Sequence, residues 1–196
     1  MTTAAATITN ADYLKEKFDA ALPYDEYVTT GEPHQIEAWG KIYDQASLTP
    51  EQTSLIESFN REMHVIVSSG VWCGDCVQQL PLLQRIAEAN PNIKLRFVDR
   101  DTHKDLAEQI SVNAGMRVPV ALFLSEDFEL VSVFGDRTLT RYRAIAARQL
   151  GAACAIPGAP VPDDELVGTL QDWLDEVERV HLVLRTSGRL REKHGD

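Results

Sequence analysis

The chain has 196 residues, enough to bury one sizeable core, and its 44% hydrophobic and 25% charged residues are globular proportions. A formal net charge of −11 argues against nucleic acid and against an anionic membrane surface, and it suits partners that are neutral or carry basic patches. No run approaches the roughly 18 apolar residues of a membrane span, no secretory signal is visible at the start, and three cysteines do not make a disulfide framework, so the expected compartment is cytoplasmic.

In chain order, the first element is a helix in "TNADYLKEKFDAALP", with Thr9 or Asn10 as cap and Tyr13, Leu14 and Phe18 on one face. "YDEYVTTGEP" reads as a loop, and a second helix runs from about His34 to Gln45, carrying Ile36, Trp39 and Ile42 or Tyr43. "LTPEQTSLIESFNRE" has a strong start signal: Thr49 as cap, Pro50 at the first helical position and Gln52 closing a capping box. "MHVIVSS" is a β-branched apolar run, expected to be a buried strand. "CVQQLPLLQRIAEAN" is helical, with Pro81 as a kink and Asn90-Pro91 as the stop.

"IKLRFVDRD" is a second strand and "HKDLAEQI" a short helix. "VPVALFLS" and "ELVSVFG" read as a hairpin joined around Glu126-Asp127, and "TLTRYRAIAARQLG" as a helix ended by Gly151. "IPGAPVPDDE" is a linker by its prolines, and from about Asp164 an amphipathic helix carries Leu166, Leu170, Trp173, Val177, Val180 and Leu184. The tail "GRLREKHGD" is expected to fray. Strand, helix, strand, helix, hairpin and helix between Met63 and Leu150 imply a mixed sheet with helices on its faces.

Chemistry concentrates in "HVIVSSGVWCGDCVQQLP", where two of the three cysteines stand three residues apart at a strand-to-helix junction. The helix start offers unpaired N–H groups and partial positive charge, which favour thiolate at Cys73. Cys76, one turn further in, is less exposed and suited to resolving a mixed disulfide. Trp72 supplies a flat apolar surface. Asp75 favours the helix start yet repels a thiolate; at about 6 Å in water that repulsion is on the order of 0.7 kcal/mol, so the helix start wins by a narrowed margin.

The segment "VWCGDCVQQLPLLQRIA" resembles the active-site region of the thioredoxin family: Trp-Cys-Gly-X-Cys after a strand, then a helix with proline five residues beyond the second cysteine. A second match is "RVPVALFLSEDFELVSVFGD", where Pro119 and Gly135 fit the family's cis-proline and its glycine at the end of the next strand. The resemblance covers roughly residues 60–150. It implies an α/β, thioredoxin-like three-layer fold, a mixed central sheet flanked by helices, with extra N- and C-terminal helices. The expected organisation is 1–58 as a helical extension, 59–152 as the core, and 153–196 as linker and C-terminal helix, all one globular unit.

Carried over position by position, the resemblance makes Cys73 the nucleophile and Cys76 the resolving thiol, with Trp72, Gly74, Asp75 and Pro119 around them. Trp72, Val118, Pro119 and Gly135 would frame a substrate groove. The implied function is thiol–disulfide oxidoreductase in cell redox homeostasis, without a bound cofactor, recharged by a separate reductase or thiol donor. The alternative is a redox-sensing adaptor on the same scaffold. Two positions depart from the family: Val67 stands where a buried aspartate usually assists the resolving thiol, and Asp75 replaces the usual proline. No segment before Thr49 reads as the family's first strand.

A zinc site is the competing account of the pair, but it needs a second close pair of ligands, and Cys154 with His34, His64, His103, His181 and His194 offers none. Cys154 reads as a buried structural thiol. His64 and His103 read as satisfied or surface groups, Arg96, Asp99 and Asp101 as a solvated face, and Trp39 and Trp173 as core.

Overall fold

A computed structural model describes residues 7–150 and 165–196. Four strands form one sheet in the order β2-β1-β3-β4: β1 (Met63–Ser69), β2 (Ile93–Asp99), β3 (Val120–Ser125) and β4 (Leu130–Gly135). The first pair is parallel and the other two antiparallel. β1 and β3 are buried along their whole length, which is why both read as unbroken apolar runs rather than as alternating patterns.

The sheet separates two apolar clusters, giving three layers. On one side Val65, Val67, Phe97 and Phe123 pack beneath α2 (Tyr24–Val28), α3 (Pro33–Gln45), α4 (Pro50–Glu57) and α5 (Gly74–Glu88). The same cluster takes Trp173, Val177 and Val180 from α8 (Glu165–Thr186) and Leu190 from α9 (Gly188–His194). On the other side Ile66, Val98 and Leu122 meet Tyr13, Leu14 and Phe18 of α1 (Ala11–Ala20) and Leu106 of α6 (Lys104–Gln109). The remaining helix, α7 (Leu139–Leu150), packs along α8. The expected mixed sheet with flanking and terminal helices is the architecture found.

Local signals placed the boundaries where the chain supplies them. Asn10 caps α1, and Thr49 and Gln52 close the capping box that starts α4. Trp39 and Trp173 are core residues, fully buried or nearly so. Two expectations are corrected. The loop expected in "YDEYVTTGEP" contains α2, whose Tyr24, Tyr27 and Val28 fall at helical spacing and are all buried. The frayed tail is α9, capped by Ser187 and anchored by buried Leu190, and the Asp196 carboxylate takes ion pairs from Arg61 and Arg185.

At the β2 edge, Leu22 exchanges two backbone hydrogen bonds with Phe97, at 2.9 and 2.8 Å, in a single antiparallel bridge. Among the described residues that bridge is all the pairing beyond β2, so the sheet has no strand before α4. The Gly151 stop, Cys154 and the proline-rich linker lie outside the described residues, apart from Glu165, which begins α8.

Candidate active site

The cysteine pair sits where β1 ends and α5 begins. Cys73 is the N-cap of α5, with extended backbone (φ −85°, ψ 122°), and its own N–H donates to the Gly70 carbonyl at 2.9 Å. It is partly exposed, whereas Cys76 is fully buried; both are free thiols. The Cys73 thiol is lowered to about 6. The Cys76 thiol donating to it is the main cause; burial opposes, and the N–H groups of Cys76 and Asp75 at the helix start add to the lowering. Cys76 moves the other way, well up, because burial and the neighbouring Cys73 sulfur disfavour a second anion. The two thiols are thereby differentiated: the accessible one favours the thiolate, the buried one the protonated thiol.

Asp75 is not the isolated carboxylate that the sequence suggests. Its Oδ2 accepts from Arg137 Nε and Nη2 at 2.9 and 2.6 Å, and its Oδ1 from Arg141 Nη2 at 2.9 Å. Burial alone would raise its carboxyl; the two guanidinium groups outweigh that and hold it below the usual carboxylate range. Arg141 also pairs with Glu165 at the start of α8, and Arg137 reaches Asp136 at 3.5 Å. Asp136 takes a further contact from Arg117 at 3.2 Å and a hydrogen bond from the Tyr142 hydroxyl. Buried Gln79 donates to the Asp136 and Asp75 carbonyls and accepts from the Thr138 N–H, tying the turn after β4 to α5.

Opposite the cysteines lies the turn entering β3. The Val118–Pro119 bond is cis, and the Val118 carbonyl accepts from the Cys73 thiol at 3.7 Å. Gly135 pairs with Val120 across the hairpin. Its φ is +152°, and a Cβ there would stand 2.5 Å from the Pro119 carbonyl and 2.9 Å from Val120 Cα, so this position admits only glycine. Trp72 is half exposed, folded over Gly70, with the Arg100 guanidinium 4.7 Å from its ring centre. Arg100 also donates to the Met116 carbonyl at 3.4 Å. Gly74 is exposed with open space around it, so no packing demands a glycine there.

Cys73, Trp72, Val118, Pro119 and Gly135 thus converge on one surface, and Asp75 sits beside it within an arginine cluster. Sequence reading missed Arg137, Arg141, Asp136 and Gln79; the only available signal was the charged run "GDRTLTRYR" straight after Gly135. His64 is buried, 3.1 Å from the Ser125 carbonyl and stacked on Phe128. Asp99 caps its own turn by accepting from the N–H groups of Asp101 and Thr102. Among the described residues no three His, Cys, Asp or Glu side chains gather as a metal site, and no helix is long and apolar enough to cross a membrane.

A family model described as Thioredoxin matches residues 21–147, more than half of the chain. An H-type thioredoxin from Fagopyrum esculentum is 28% identical over 104 residues, spanning 53% of this chain and 78% of its own length. Among solved structures, a protein of unknown function from Pseudomonas aeruginosa aligns with TM-score 0.67 at 22% identity, covering 84% of this chain and 96% of that one. An HIV epitope-scaffold aligns with TM-score 0.66, also at 22% identity, over 84% of this chain and 97% of its own. At that identity the two structures speak for the fold alone, including elements well beyond the segment around the cysteines. The family match, which takes in the cysteine pair, Pro119 and Gly135, carries the assignment: the chain belongs to the thioredoxin family.

Proposed function

We propose that the chain is a thiol–disulfide oxidoreductase acting on protein or small-molecule disulfides, with Cys73 as nucleophile and Cys76 as resolving thiol. The observation that carries this reading is the split between the thiols: Cys73, accessible and lowered to about 6, is ionised at neutral pH, while Cys76 is buried and protonated. The Cys73 thiolate attacks one sulfur of the substrate disulfide, and the other sulfur leaves as a thiolate that takes up a proton. Cys76, losing its proton, then attacks Cys73 Sγ and releases the second substrate thiolate. Two electrons have passed to the substrate, and a Cys73–Cys76 disulfide remains for a reductase or thiol donor to reduce.

In this reading the surface around Val118, Pro119, Trp72 and Gly135 receives an extended substrate segment, and the reaction runs in the cytoplasm. Reduction of insulin by dithiol-recharged protein tests it: wild type turns over, Cys73→Ser does not, and Cys76→Ser accumulates mixed disulfides. A wild-type chain that reduces no disulfide, with its oxidised form changing affinity for a partner instead, would favour the sensor reading.

A further inference from the structure

The ion pairs beside the cysteines run in one unbranched line, from Arg117 through Asp136, Arg137, Asp75, Arg141 and Glu165 to Arg148. Four arginines against three carboxylates leave one positive charge over, in a chain whose formal net charge is −11. Inside the line each guanidinium is shared between two carboxylates, so the excess falls at the two ends. Arg148 ends it away from the cysteines, on α7. Arg117 ends it at the groove: it immediately precedes Val118, whose carbonyl accepts from the Cys73 thiol at 3.7 Å.

Arg117 reaches from the turn entering β3 to the turn after β4, where its Nη1 donates to Asp136 Oδ2 at 3.2 Å. Its side chain therefore borders the groove where Pro119 faces Gly135, the residue before Asp136. The Arg117 side chain is 41% exposed and that of Asp136 only 3%, so an incoming group meets the cation and not its counter-ion. Among the described residues, the other Arg117 N–H groups have no acceptor. A planar guanidinium with open donors fits a carboxylate, which can take two parallel hydrogen bonds from it. Arg100, on Trp72, offers no such fork: its Nε and Nη2 already donate to the exposed Asp101 carboxylate at 3.0 and 2.9 Å. The −11 charge repels acidic partners at a distance, but salt screens it within about 8 Å, and contact with Arg117 acts inside that range.

We propose that Arg117 is a specificity-determining residue, selecting disulfides that carry a carboxylate close to the reacting sulfur and receiving that carboxylate beside Pro119 and Gly135. This rests on the reading of Cys73 as the nucleophile. The carboxylate belongs either to a small acidic disulfide or to a Glu or Asp next to a cystine in a polypeptide. The recognition chemistry is the same in both. Asp136 is then a positioning residue, buried beneath the groove and holding the guanidinium at its edge.

The test uses the full chain, pre-reduced and carrying Cys154→Ser so that only the Cys73 and Cys76 thiols react. Its rate of thiol loss is measured with two matched pairs of disulfides. One pair is dithiodipropionate, with two carboxylates, and the neutral hydroxyethyl disulfide; the other is a cyclic peptide disulfide with Glu or with Gln beside a cysteine. Arg117→Gln should slow the reaction with dithiodipropionate about fivefold, the upper end for a half-exposed ion pair, and leave hydroxyethyl disulfide unchanged. Comparing variant with wild type on each substrate cancels the intrinsic reactivities. Arg117→Lys, which keeps the charge and loses the fork, should recover only part of the loss. A matching loss with the Glu peptide and none with the Gln peptide identifies a polypeptide as a source, and a loss confined to dithiodipropionate identifies a small acid. A charged-to-neutral rate ratio that is the same in wild type and Arg117→Gln for both pairs overturns the proposal, whether or not the rates themselves fall. Wild type that reacts with none of the four would instead defeat the reading of Cys73, so the two failures are distinguishable.

Discussion

Replacing Asp75 by Asn should lower the Cys73 thiol further. By superposition, the potential that a carboxylate contributes at Cys73 Sγ does not depend on what else binds it, so its arginine partners do not cancel the effect of removing it. What matters is whether those cations stay. Arg137 remains beside Asp136 and Arg141 beside Glu165, so neither guanidinium is released to swing away. At about 6 Å, one charge is worth on the order of 0.7 kcal/mol in bulk water and about twice that at half the dielectric, appropriate to a partly buried site. That corresponds to roughly half to one unit, moving Cys73 from about 6 toward the mid-fives. At pH 7 the thiolate is already about nine-tenths formed, and a lower value also makes the sulfur a weaker nucleophile, so a single rate at neutral pH would miss the change. The assay is therefore the midpoint of the thiolate absorbance titrated between pH 4 and 9, roughly spanning both forms. A midpoint unchanged or raised in Asp75→Asn would refute the reasoning, and would mean that the arginines had abandoned the site with the carboxylate.

Two further outcomes follow from the contacts around the fold. Gly135→Ala should destabilise the chain by roughly 2–4 kcal/mol in urea unfolding, because the new Cβ meets backbone atoms rather than a side chain that can yield; a loss under about 0.5 kcal/mol would show that the β4 end relaxes freely. Arg189→Ala should make stability depend differently on acid. The hydrogen bond from Arg189, against burial, lowers the Asp127 carboxyl to about 2. A carboxyl depressed on folding stabilises above its unfolded value, near 3.9, and loses that contribution as pH falls through its folded value. The variant should be less stable than wild type above about pH 4 and converge with it near pH 2; a constant gap at all pH would assign the effect to packing of α9.

What was legible in the chain was whatever depends on neighbours in sequence. Thr49, Pro50 and Gln52 announce α4 because capping is a matter of three successive positions, and the apolar runs of β1 and β3 announce a sheet covered on both faces. The cysteine pair was legible for the same reason: a nucleophile at a helix start is a local device. α2 escaped because five residues after Pro23, with no side-chain cap, resemble a turn until Tyr24 and Tyr27 find Trp39 and Phe97 to pack against. Arg137 and Arg141 escaped because they meet Asp75 across 62 and 66 residues of chain.

The two departures from the family pattern look different once those distant partners are in place. Read along the chain, Asp75 is a carboxylate that weakens the thiolate beside it. In the fold it is one member of an alternating cluster, Glu165, Arg141, Asp75, Arg137 and Asp136, that joins the start of α8, the first turn of α5 and the turn after β4. A proline at position 75 could hold none of this, so the acidic residue follows from an additional helix having been docked against the site. Val67 follows similar logic. With α2 packed on β2, the Tyr27 ring stacks on Phe97 and meets Trp39 edge-on, in the same buried cluster as Val67. A buried charge at position 67 would have to be desolvated within that aromatic cluster, whereas Val67 needs no partner there. The helices added to the family core and the residues changed beside its cysteines are, on this argument, one adaptation.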